Sequence, residues 1–282
     1  MNYCYYNPND SNTLFTKIVN RVLRFLLPYH YISIGALDIS NTDNKFVFPI
    51  INRNSITVKQ KALAWIPDFQ DKYYPNFFSD SLLSSRTKNH KSLFLNKIPI
   101  VFSSNDSLND FKKFYPEAVD YDKLFVLPFA VSHPDFSYLS IEDLKAKYNI
   151  NHQYLFCANQ FWIHKNHKFL FEAFAQAKNK GLSLQLVCSG RMYDSRNKDY
   201  AQELDLLIDK LGVRNDIKLV GFISREEQLC LMQNSYAIVQ PSLFEGWSTV
   251  VEDAKALNKF IFLSNLKVHK EQNPVNVSYF DP

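Results

Sequence analysis

Two glutamates lie close together in a stretch that joins a short apolar strand to a helix. The strand is predicted from Tyr236 to Gln240 and is ended by Pro241, and the helix is predicted from Val250 to Leu257 and ends near Asn258. Ligands of open α/β sheets bind beyond the carboxyl ends of strands, and the first N–H groups of a helix attract phosphate. A phosphorylated ligand is therefore the first expectation. The stretch itself is Pro241-Ser242-Leu243-Phe244-Glu245-Gly246-Trp247-Ser248-Thr249-Val250-Val251-Glu252.

This stretch resembles the donor-binding signature of the family-4 retaining glycosyltransferases of GT-B fold, in which two glutamates flank a Gly-aromatic-small loop. The resemblance implies that Glu245 contacts the donor sugar and that Glu252 contacts the nucleotide ribose. The family usually has seven residues between the glutamates and this chain has six, which we interpret as a subfamily variant. The resemblance also implies that loop amides hold the sugar and the diphosphate, and the residues concerned are Gly246, Trp247, Ser248 and Thr249.

The same carboxylates allow two other interpretations. Thr249 to Glu252 also fits a capping box, in which Glu252 returns a hydrogen bond to the start of the helix. Glu245 has no comparable structural explanation. A glycoside hydrolase also uses two carboxylates around the scissile bond, but it usually collects them from separated strand ends. We therefore prefer donor binding, with helix capping as the alternative for Glu252.

A second strand, loop and helix precede the first set along the chain. Tyr154 to Ala158 is predicted to be a strand, and Lys168 to Ala177 an amphipathic helix. The family commonly has Gly-Arg at the positions of Asn159-Gln160 and a lysine at the position of Lys165, and both cations neutralise the donor diphosphate. Gln160 cannot supply that charge, so Arg191 is the candidate that compensates for it.

The elements that must position these residues alternate along the rest of the chain. Six strands in the second half, with helices between them, predict a doubly wound, Rossmann-like domain. The resemblance places the loop after the strand Ile217 to Gly221 against the nucleotide base, which makes Gly221 and Phe222 donor-binding candidates. Core packing is the alternative for Phe222. Right-handed crossovers bring all these segments to one edge of the sheet.

The first half is also predicted to be α/β, because strand-like runs alternate with helical stretches. The runs are Lys45 to Ile51, Ala62 to Ile66, Ile98 to Ser103 and Leu124 to Phe129. The expected fold class is therefore α/β of GT-B type, with two Rossmann-like domains that face a cleft. We place the boundary near residue 136. Residues 1–136 would form an acceptor-side domain and residues 137–282 the domain that binds the nucleotide-sugar donor.

Trp65 to Gln70 resembles an acceptor-domain motif of the capsule and lipopolysaccharide branch of the family. The motif contains Asp68, and Asp71 stands where that branch has a histidine, so both aspartates are acceptor-side candidates. Gly35 is the only glycine before Gly181, whereas family members open with a strand and a glycine-rich loop and end with terminal helices. We therefore expect an incomplete N-terminal domain and a chain shortened at both ends.

Composition and charge limit the possible partners. The formal net charge of +4 is too small to predict nucleic-acid binding. Four scattered cysteines favour buried thiols over disulfides. His164 and His167 lack a third ligand at metal-site spacing, so neither a metal nor another cofactor is expected.

No signal peptide or membrane-spanning segment is recognised, and the expected location is the cytoplasm. The helix predicted from Leu14 to Leu27 carries Lys17, Arg21 and Arg24 on one face. Core packing is the preferred explanation of its pattern. The alternative is peripheral contact with an anionic membrane, at the inner face of the plasma membrane.

The resemblance implies an enzyme that transfers a hexosyl group, with retention, from a GDP- or UDP-linked sugar. Mannose from GDP-mannose is the preferred donor, and the acceptor is expected to be a surface polysaccharide or a lipid-linked glycan. Glu245 and Lys165 would be the catalytic residues. One alternative is a truncated, non-catalytic remnant that binds nucleotide sugar without transferring it. A GT-B epimerase or phosphorylase fits less well, because the former should lack the two-glutamate loop and the latter needs a lysine-bound cofactor.

Overall fold

The chain forms two compact units, Met1–Pro128 and Phe129–Pro282. The computed structural model describes residues 47–50, 62–118, 120–194 and 196–282. The boundary expected near residue 136 lies a few residues after the division between the units, in the extended segment before the helix Ile141–Lys147. The helix predicted from Leu14 to Leu27 lies outside the described residues.

The described part of the first unit contains a parallel sheet with strand order β1-β2-β3-β4. The strands are β1 Val47–Ile50, β2 Ala62–Ile66, β3 Ile100–Phe102 and β4 Leu124–Val126. The helices are Gln70–Tyr73, Asp80–Leu95 and Asn105–Phe114, with 3-10 turns at Pro75–Phe77 and Pro116–Ala118. Ser79 and Ser104 cap the two longer helices by accepting hydrogen bonds from backbone N–H groups.

An aromatic cluster forms the core of the first unit. Phe69, Phe102, Phe111 and Tyr115 are all almost completely buried, and neighbouring ring centroids lie 5.2–6.5 Å apart. This separation is typical of tilted and edge-to-face aromatic pairs. The loop after β2 is therefore anchored by Phe69, which lies next to the candidate acceptor-side residue Asp68.

The second unit contains six parallel strands in the order β10-β9-β8-β5-β6-β7. They are β5 Tyr154–Ala158, β6 Gln185–Ser189, β7 Ile217–Gly221, β8 Ala237–Gln240, β9 Ile261–Ser264 and β10 Val277–Phe280. The helices are Ile141–Lys147, His167–Asn179, Tyr200–Lys210, Arg225–Asn234, Thr249–Ala256 and Lys267–Gln272, with a 3-10 turn at Ile163–Lys165. The predicted α/β class and the doubly wound order are confirmed.

Helices cover both faces of this sheet, so successive residues of the central strands enter different cores. Phe156 and Val187 pack with Ile238 and Val251 on one face, whereas Cys157 and Cys188 pack with Phe171 and Leu204 on the other. Burial on both faces explains why these strands are nearly continuous apolar runs. It also confirms that Cys157 and Cys188 are buried free thiols.

The strand order reverses between β5 and β8, which pair directly although three helices and two strands separate them in sequence. At such a switch point the crossover connections run in opposite directions and leave a crevice beyond the strand ends. The loop after β5 contains Lys165, and the loop after β8 contains Glu245. The fold therefore brings the two predicted catalytic residues to the same crevice.

Candidate functional site

A pocket of about 460 Å³ lies beyond the carboxyl ends of β5, β6, β7 and β8. Its walls contain the residues that directly follow these strands, including Asn159, Gly190 and Phe222. The Ser189 hydroxyl at the wall is buried and has no hydrogen-bond partner among the described residues. The predicted site residues that line the pocket are Gln160, Lys165, Phe222, Glu245, Ser248 and Thr249.

Lys165 and Glu245 form an ion pair at the wall of the pocket. Lys165 Nζ lies 2.5 Å from Glu245 Oε1, and the two side chains are only 14% and 9% exposed. The same oxygen also accepts hydrogen bonds from Gln240 Nε2 at 2.8 Å and from Ser242 Oγ at 2.7 Å. The structure thus fixes a cation and a carboxylate next to each other at one point of the wall.

These partners keep the Glu245 carboxyl ionised. Burial alone would raise its pKa, because a carboxylate loses hydration inside the protein. The charge of Lys165 and the hydrogen bonds from Lys165 and Ser242 outweigh this effect and lower the pKa below its ordinary value. Glu245 is therefore an acceptor of hydrogen bonds at neutral pH.

Gln240, the last residue of β8, donates a hydrogen bond to the Glu245 carboxylate. Its amide oxygen accepts from Asn159 Nδ2 at 2.7 Å, and its amide nitrogen donates to Glu245 and to Ser242 Oγ. Asn159 follows β5, so this chain of hydrogen bonds joins the two strand ends at the switch point. Sequence analysis did not identify Gln240, and its polar side chain at the end of an apolar strand was the available signal.

A tight turn places Lys165 over the end of β5. The 3-10 turn Ile163–Lys165 is followed by Asn166 in the left-handed region at φ 59°, a conformation that asparagine tolerates better than most residues. Ile163 N donates to Asp194 Oδ2, and Leu243 N donates to His164 O at 2.8 Å. The second contact ties the Lys165 loop to the Glu245 loop.

Glu252 is not among the residues that line the pocket. It is buried, and its carboxylate accepts from Gln272 Nε2 at 2.9 Å and from Lys255 Nζ at 3.2 Å. The helix Thr249–Ala256 begins after Ser248, and Ser248 provides no side-chain cap. The capping-box alternative for Glu252 is therefore wrong, because its carboxylate is used by Gln272 and Lys255 instead.

Asp253, the next residue, does line the pocket. Its Oδ1 accepts hydrogen bonds from Arg225 Nη2 and from His133 Nε2, the latter at 3.0 Å. Arg225 also donates to Gln228 Oε1 at 2.7 Å, and both of these side chains line the pocket. Seven residues separate Glu245 from Asp253, the spacing that the resembled signature usually has between its carboxylates. Counting to the second acidic residue would have found Asp253.

The loop amides predicted to hold the donor have different surroundings. Ser248 N donates to Gln272 Oε1 at 3.2 Å, so this amide already has a partner. Trp247 directs its indole N–H to Phe129 O at 3.0 Å, and neither Gly246 nor Trp247 belongs to the pocket lining. Thr249 lines the pocket as the first residue of the helix. Of these four residues, Thr249 is best placed to bind an anion, because it lines the pocket at the start of a helix.

Gln160, at the position of the missing arginine, contacts Arg191, the residue expected to compensate for it. Gln160 Oε1 accepts from Arg191 N at 2.9 Å. The Arg191 guanidinium lies 4.5 Å from the ring centre of Phe222, and Arg191 is outside the pocket lining. Gly221 has φ +74° and turns the chain into Phe222, which is 65% exposed. Core packing, the alternative for Phe222, is therefore wrong.

The two acceptor-side candidates share one arginine in the first unit. Arg86 Nε lies 3.1 Å from Asp71 Oδ1, and Arg86 Nη2 lies 3.3 Å from Asp68 Oδ1. Asp71 is buried, whereas Asp68 also accepts from Gln70 N at the start of a short helix. The structure brings these aspartates together, and both are held by ion pairs.

His164 and His167, the two histidines considered as metal ligands, are buried packing residues. Burial lowers the pKa of His164 to about 3, and the buried His167 ring stacks on Phe161 with centroids 4.1 Å apart. No group of acidic, histidine or cysteine side chains in the described part of the chain could hold a metal ion. None of the described helices is long and apolar enough to cross a membrane.

Comparison with known sequences identifies relatives of this site. Residues 140–277 match the family model described as "Glycosyl transferases group 1". The chain is 27% identical over 241 residues to the O-antigen chain mannosyltransferase RfbU of Salmonella typhimurium. This match covers 83% of the chain and 58% of the relative, so the chain spans a little over half of that protein's length.

Solved structures share the fold. A glycosyltransferase from Rickettsia africae superimposes with a TM-score of 0.60 at 19% identity, covering 99% of this chain and 70% of that one. Anabaena HepE in complex with UDP and glucose gives 0.60 at 18% identity, covering 78% and 58%. WaaG, a glycosyltransferase involved in lipopolysaccharide biosynthesis, gives 0.61 at 15% identity, covering 78% and 61%. The chain is therefore similar in sequence to glycosyl transferases group 1 over residues 140–277, and it shares the GT-B fold of these structures.

Proposed function

We propose that this chain is a glycosyltransferase that moves a hexosyl group, with retention, from a nucleotide diphosphate sugar to a surface-polysaccharide or lipid-linked glycan acceptor. The observation that carries the proposal is the partly buried ion pair of Lys165 and Glu245 at the wall of the pocket. The similarity to an O-antigen mannosyltransferase supports mannose from GDP-mannose as the donor. A UDP-linked sugar is the alternative, supported by the fold shared with UDP-bound HepE.

In the proposed reaction the acceptor hydroxyl attacks C1 of the sugar from the same face as the diphosphate, the bond from C1 to the diphosphate breaks, and the hydroxyl proton passes to the departing diphosphate oxygen. Negative charge then accumulates on the departing diphosphate. Lys165 Nζ and the first N–H groups of the helix Thr249–Ala256 stabilise that charge, because both present positive potential to the pocket. Glu245 accepts hydrogen bonds from sugar hydroxyl groups and orients the ring. Since these groups supply the positive charge, we propose that transfer needs no metal, and activity in excess EDTA checks this.

We assign the ribose to Asp253 rather than to Glu252. Asp253 lines the same pocket as Phe222 and Ile223, which belong to the loop proposed to contact the base. Glu252, by contrast, is occupied by Gln272 and Lys255. A carboxylate that accepts from ribose hydroxyl groups needs a free oxygen facing the ligand, and Asp253 meets this condition better than Glu252.

Turnover of radiolabelled donor tests the proposed function. Membranes that carry the native glycan precursor are incubated with GDP-mannose or UDP-glucose and the full chain, and label transferred to glycan is counted. Lys165→Ala should lower kcat by roughly 100-fold, because a charge-stabilising group of this kind contributes that order of magnitude. Lys168→Ala removes an exposed lysine nearby and should change nothing. Nucleotide binding without transfer in the wild type would instead support the non-catalytic alternative.

Isothermal titration with GDP and UDP tests the ribose assignment. Asp253→Asn and Glu252→Gln remove the same charge from adjacent residues. Asp253→Asn should weaken the preferred nucleotide by roughly tenfold, since a hydrogen bond to a charged acceptor contributes about 1.5–3 kcal/mol. Glu252→Gln should leave the affinity within about twofold, because it loses no ligand contact. The reverse order would return the ribose to Glu252.

A further inference from the structure

The segment from Phe129 to His133 begins the second unit and contacts Trp247, in the loop after β8, and Asp253, in the helix Thr249–Ala256. Phe129 O accepts the indole N–H of Trp247 at 3.0 Å, and the two rings lie 6.4 Å apart in an edge-to-face arrangement. Four residues later, His133 Nε2 lies 3.0 Å from Asp253 Oδ1. One short segment therefore contacts both Trp247, two residues after Glu245, and the carboxylate of Asp253.

The contact with Asp253 fixes the orientation of a nearly inaccessible carboxylate. The Asp253 side chain is 2% exposed and the His133 side chain is 16% exposed. Arg225 approaches the same oxygen from the helix Arg225–Asn234. Among the described residues both hydrogen bonds to this carboxylate are accepted by Oδ1, which leaves Oδ2 as the oxygen that can accept from a ligand in the pocket.

We infer that Phe129–His133 is a positioning segment of the nucleotide site, in which His133 orients Asp253 and Phe129 orients Trp247. Nucleotide occupancy and the order of this segment are consequently coupled. The coupling is reciprocal, because a ligand that favours the held Asp253 conformation stabilises the segment by the same free energy with which the held segment strengthens binding. This inference rests on the proposed function insofar as the pocket must bind a nucleotide.

The segment joins the site to the preceding part of the chain, since Pro128 ends the first unit and Phe129 starts the second. Only four peptide units separate Phe129 from His133, so a backbone movement at this junction would alter the contact between His133 and Asp253. His133 and Phe129 act through Asp253 and Trp247, so they are positioning residues and not catalytic ones.

Titration of the full chain with GDP and UDP tests the role of His133. His133→Ala should weaken the preferred nucleotide by roughly fivefold to tenfold through loss of one hydrogen bond to a charged acceptor. His133→Gln keeps an amide donor at a similar distance and should recover most of the affinity. His152→Ala removes an exposed histidine of the same unit and is the matched control. Equal affinities of wild type and His133→Ala would overturn the inference.

Hydrogen exchange of the wild-type chain provides a second measurement that does not depend on a variant. With saturating nucleotide, the amides of residues 129–133 should exchange at least roughly threefold more slowly, whereas those around the exposed Val275 should not change. If nucleotide binds but these amides exchange at an unchanged rate, the inference fails and the proposed function stands. If neither GDP nor UDP binds the wild type, the proposed function fails first.

Discussion

At the scale of single residues, Glu245 is the point where three parts of the second unit meet. Its Oε1 receives Lys165 from the loop after β5, Gln240 from the end of β8 and Ser242 from the loop that follows. A carboxylate removed from water stays ionised only where charges and donors compensate for lost hydration. The ionisation of Glu245 is therefore a property of the whole cluster, and it can be measured through stability.

Glu245→Gln should lower the free energy of unfolding by roughly 3 kcal/mol at pH 7, because it leaves the Lys165 ammonium, whose side chain is only 14% exposed, without its partner charge. The pKa of Glu245 is lowered in the folded protein. Its contribution to stability is thus fully present above the unfolded pKa of about 4.5 and is lost as the pH falls through the lowered folded value. Urea denaturation should give a constant difference between wild type and variant from pH 7 to about 5.

Below about pH 4.5 that difference should shrink, since protonated glutamic acid resembles glutamine in charge. Glu203→Gln replaces an exposed glutamate of the helix Tyr200–Lys210 and should show a small difference throughout. A stability difference for Glu245→Gln that grows as the pH falls would mean that the pKa is raised and that burial dominates the cluster.

The residue types and their order were enough to predict Lys165 and Glu245, because each follows an apolar strand and precedes a helix. Asp253 was missed for a different reason. Glu252 matches the signature in residue type and Asp253 matches it in spacing, and the structure shows that Asp253 is the one that lines the pocket. Gln240 was missed because Asn159, which donates to its amide oxygen, is distant in sequence.

At the scale of elements, two similar capping patterns, Ser224 to Glu227 and Thr249 to Glu252, have different outcomes. Ser224 accepts a hydrogen bond from Glu227 N and starts its helix as the pattern predicts. In the pattern from Thr249 to Glu252 the N-cap residue is Ser248, one residue before Thr249. The side chain of Gln272 accepts a hydrogen bond from Ser248 N and donates one to the Glu252 carboxylate. Local sequence predicts that a helix begins, whereas the tertiary partner decides which residue caps it.

Gly190 directly follows β6, at a point where the chain passes very close to the loop after β5. A Cβ atom on Gly190 would lie 2.0 Å from Asn159 O, and its φ is +147°. Gly190→Ala should therefore cost roughly 3 kcal/mol or more, from overpacking against backbone combined with a strained φ. Gly212 has φ +70° but nothing within 4 Å of its Cβ position, so Gly212→Ala should cost only about 1 kcal/mol.

Urea denaturation of both variants separates the two contributions. Gly190→Ala should also weaken nucleotide binding, because Asn159 supports Gln240 and Gln160 lines the pocket. Gly212→Ala lies at the end of a helix away from these residues and should bind nucleotide normally. Equal losses of stability would mean that backbone strain alone matters and that the close approach at Asn159 relaxes without cost.

At the scale of the whole molecule, strand runs and their alternation with helices predicted both sheets, because parallel sheets buried on two faces leave a strong apolar signal. The division between the units was harder to foresee. Leu124 to Phe129 has the composition of one strand, yet β4 ends at Val126 and Phe129 contacts Trp247 of the second unit. Contacts over more than one hundred positions leave no local pattern.

Nucleotide should stabilise the second unit as a whole, because the pocket walls come from four of its strand ends. A ligand at 100 times its dissociation constant adds about 2.7 kcal/mol to the stability of the state that binds it. Amides of Tyr154–Ala158 and Gln185–Ser189, which lie at the centre of the sheet, should then exchange roughly 100-fold more slowly wherever exchange requires unfolding of the unit.

Hydrogen exchange with mass spectrometry measures this slowing at a fixed concentration of GDP or UDP. At the same nucleotide concentration, exchange in Asp253→Asn should slow less than in the wild type, by the factor by which the substitution weakens nucleotide binding. The reason is that the stabilisation depends only on the ratio of ligand concentration to dissociation constant. Slowing confined to the loops of the pocket would contradict the prediction, since it would mean that β5 and β6 exchange through local openings that leave the nucleotide bound. Global slowing would instead establish that the strand ends of the switch point and the core of the sheet unfold as one cooperative structure.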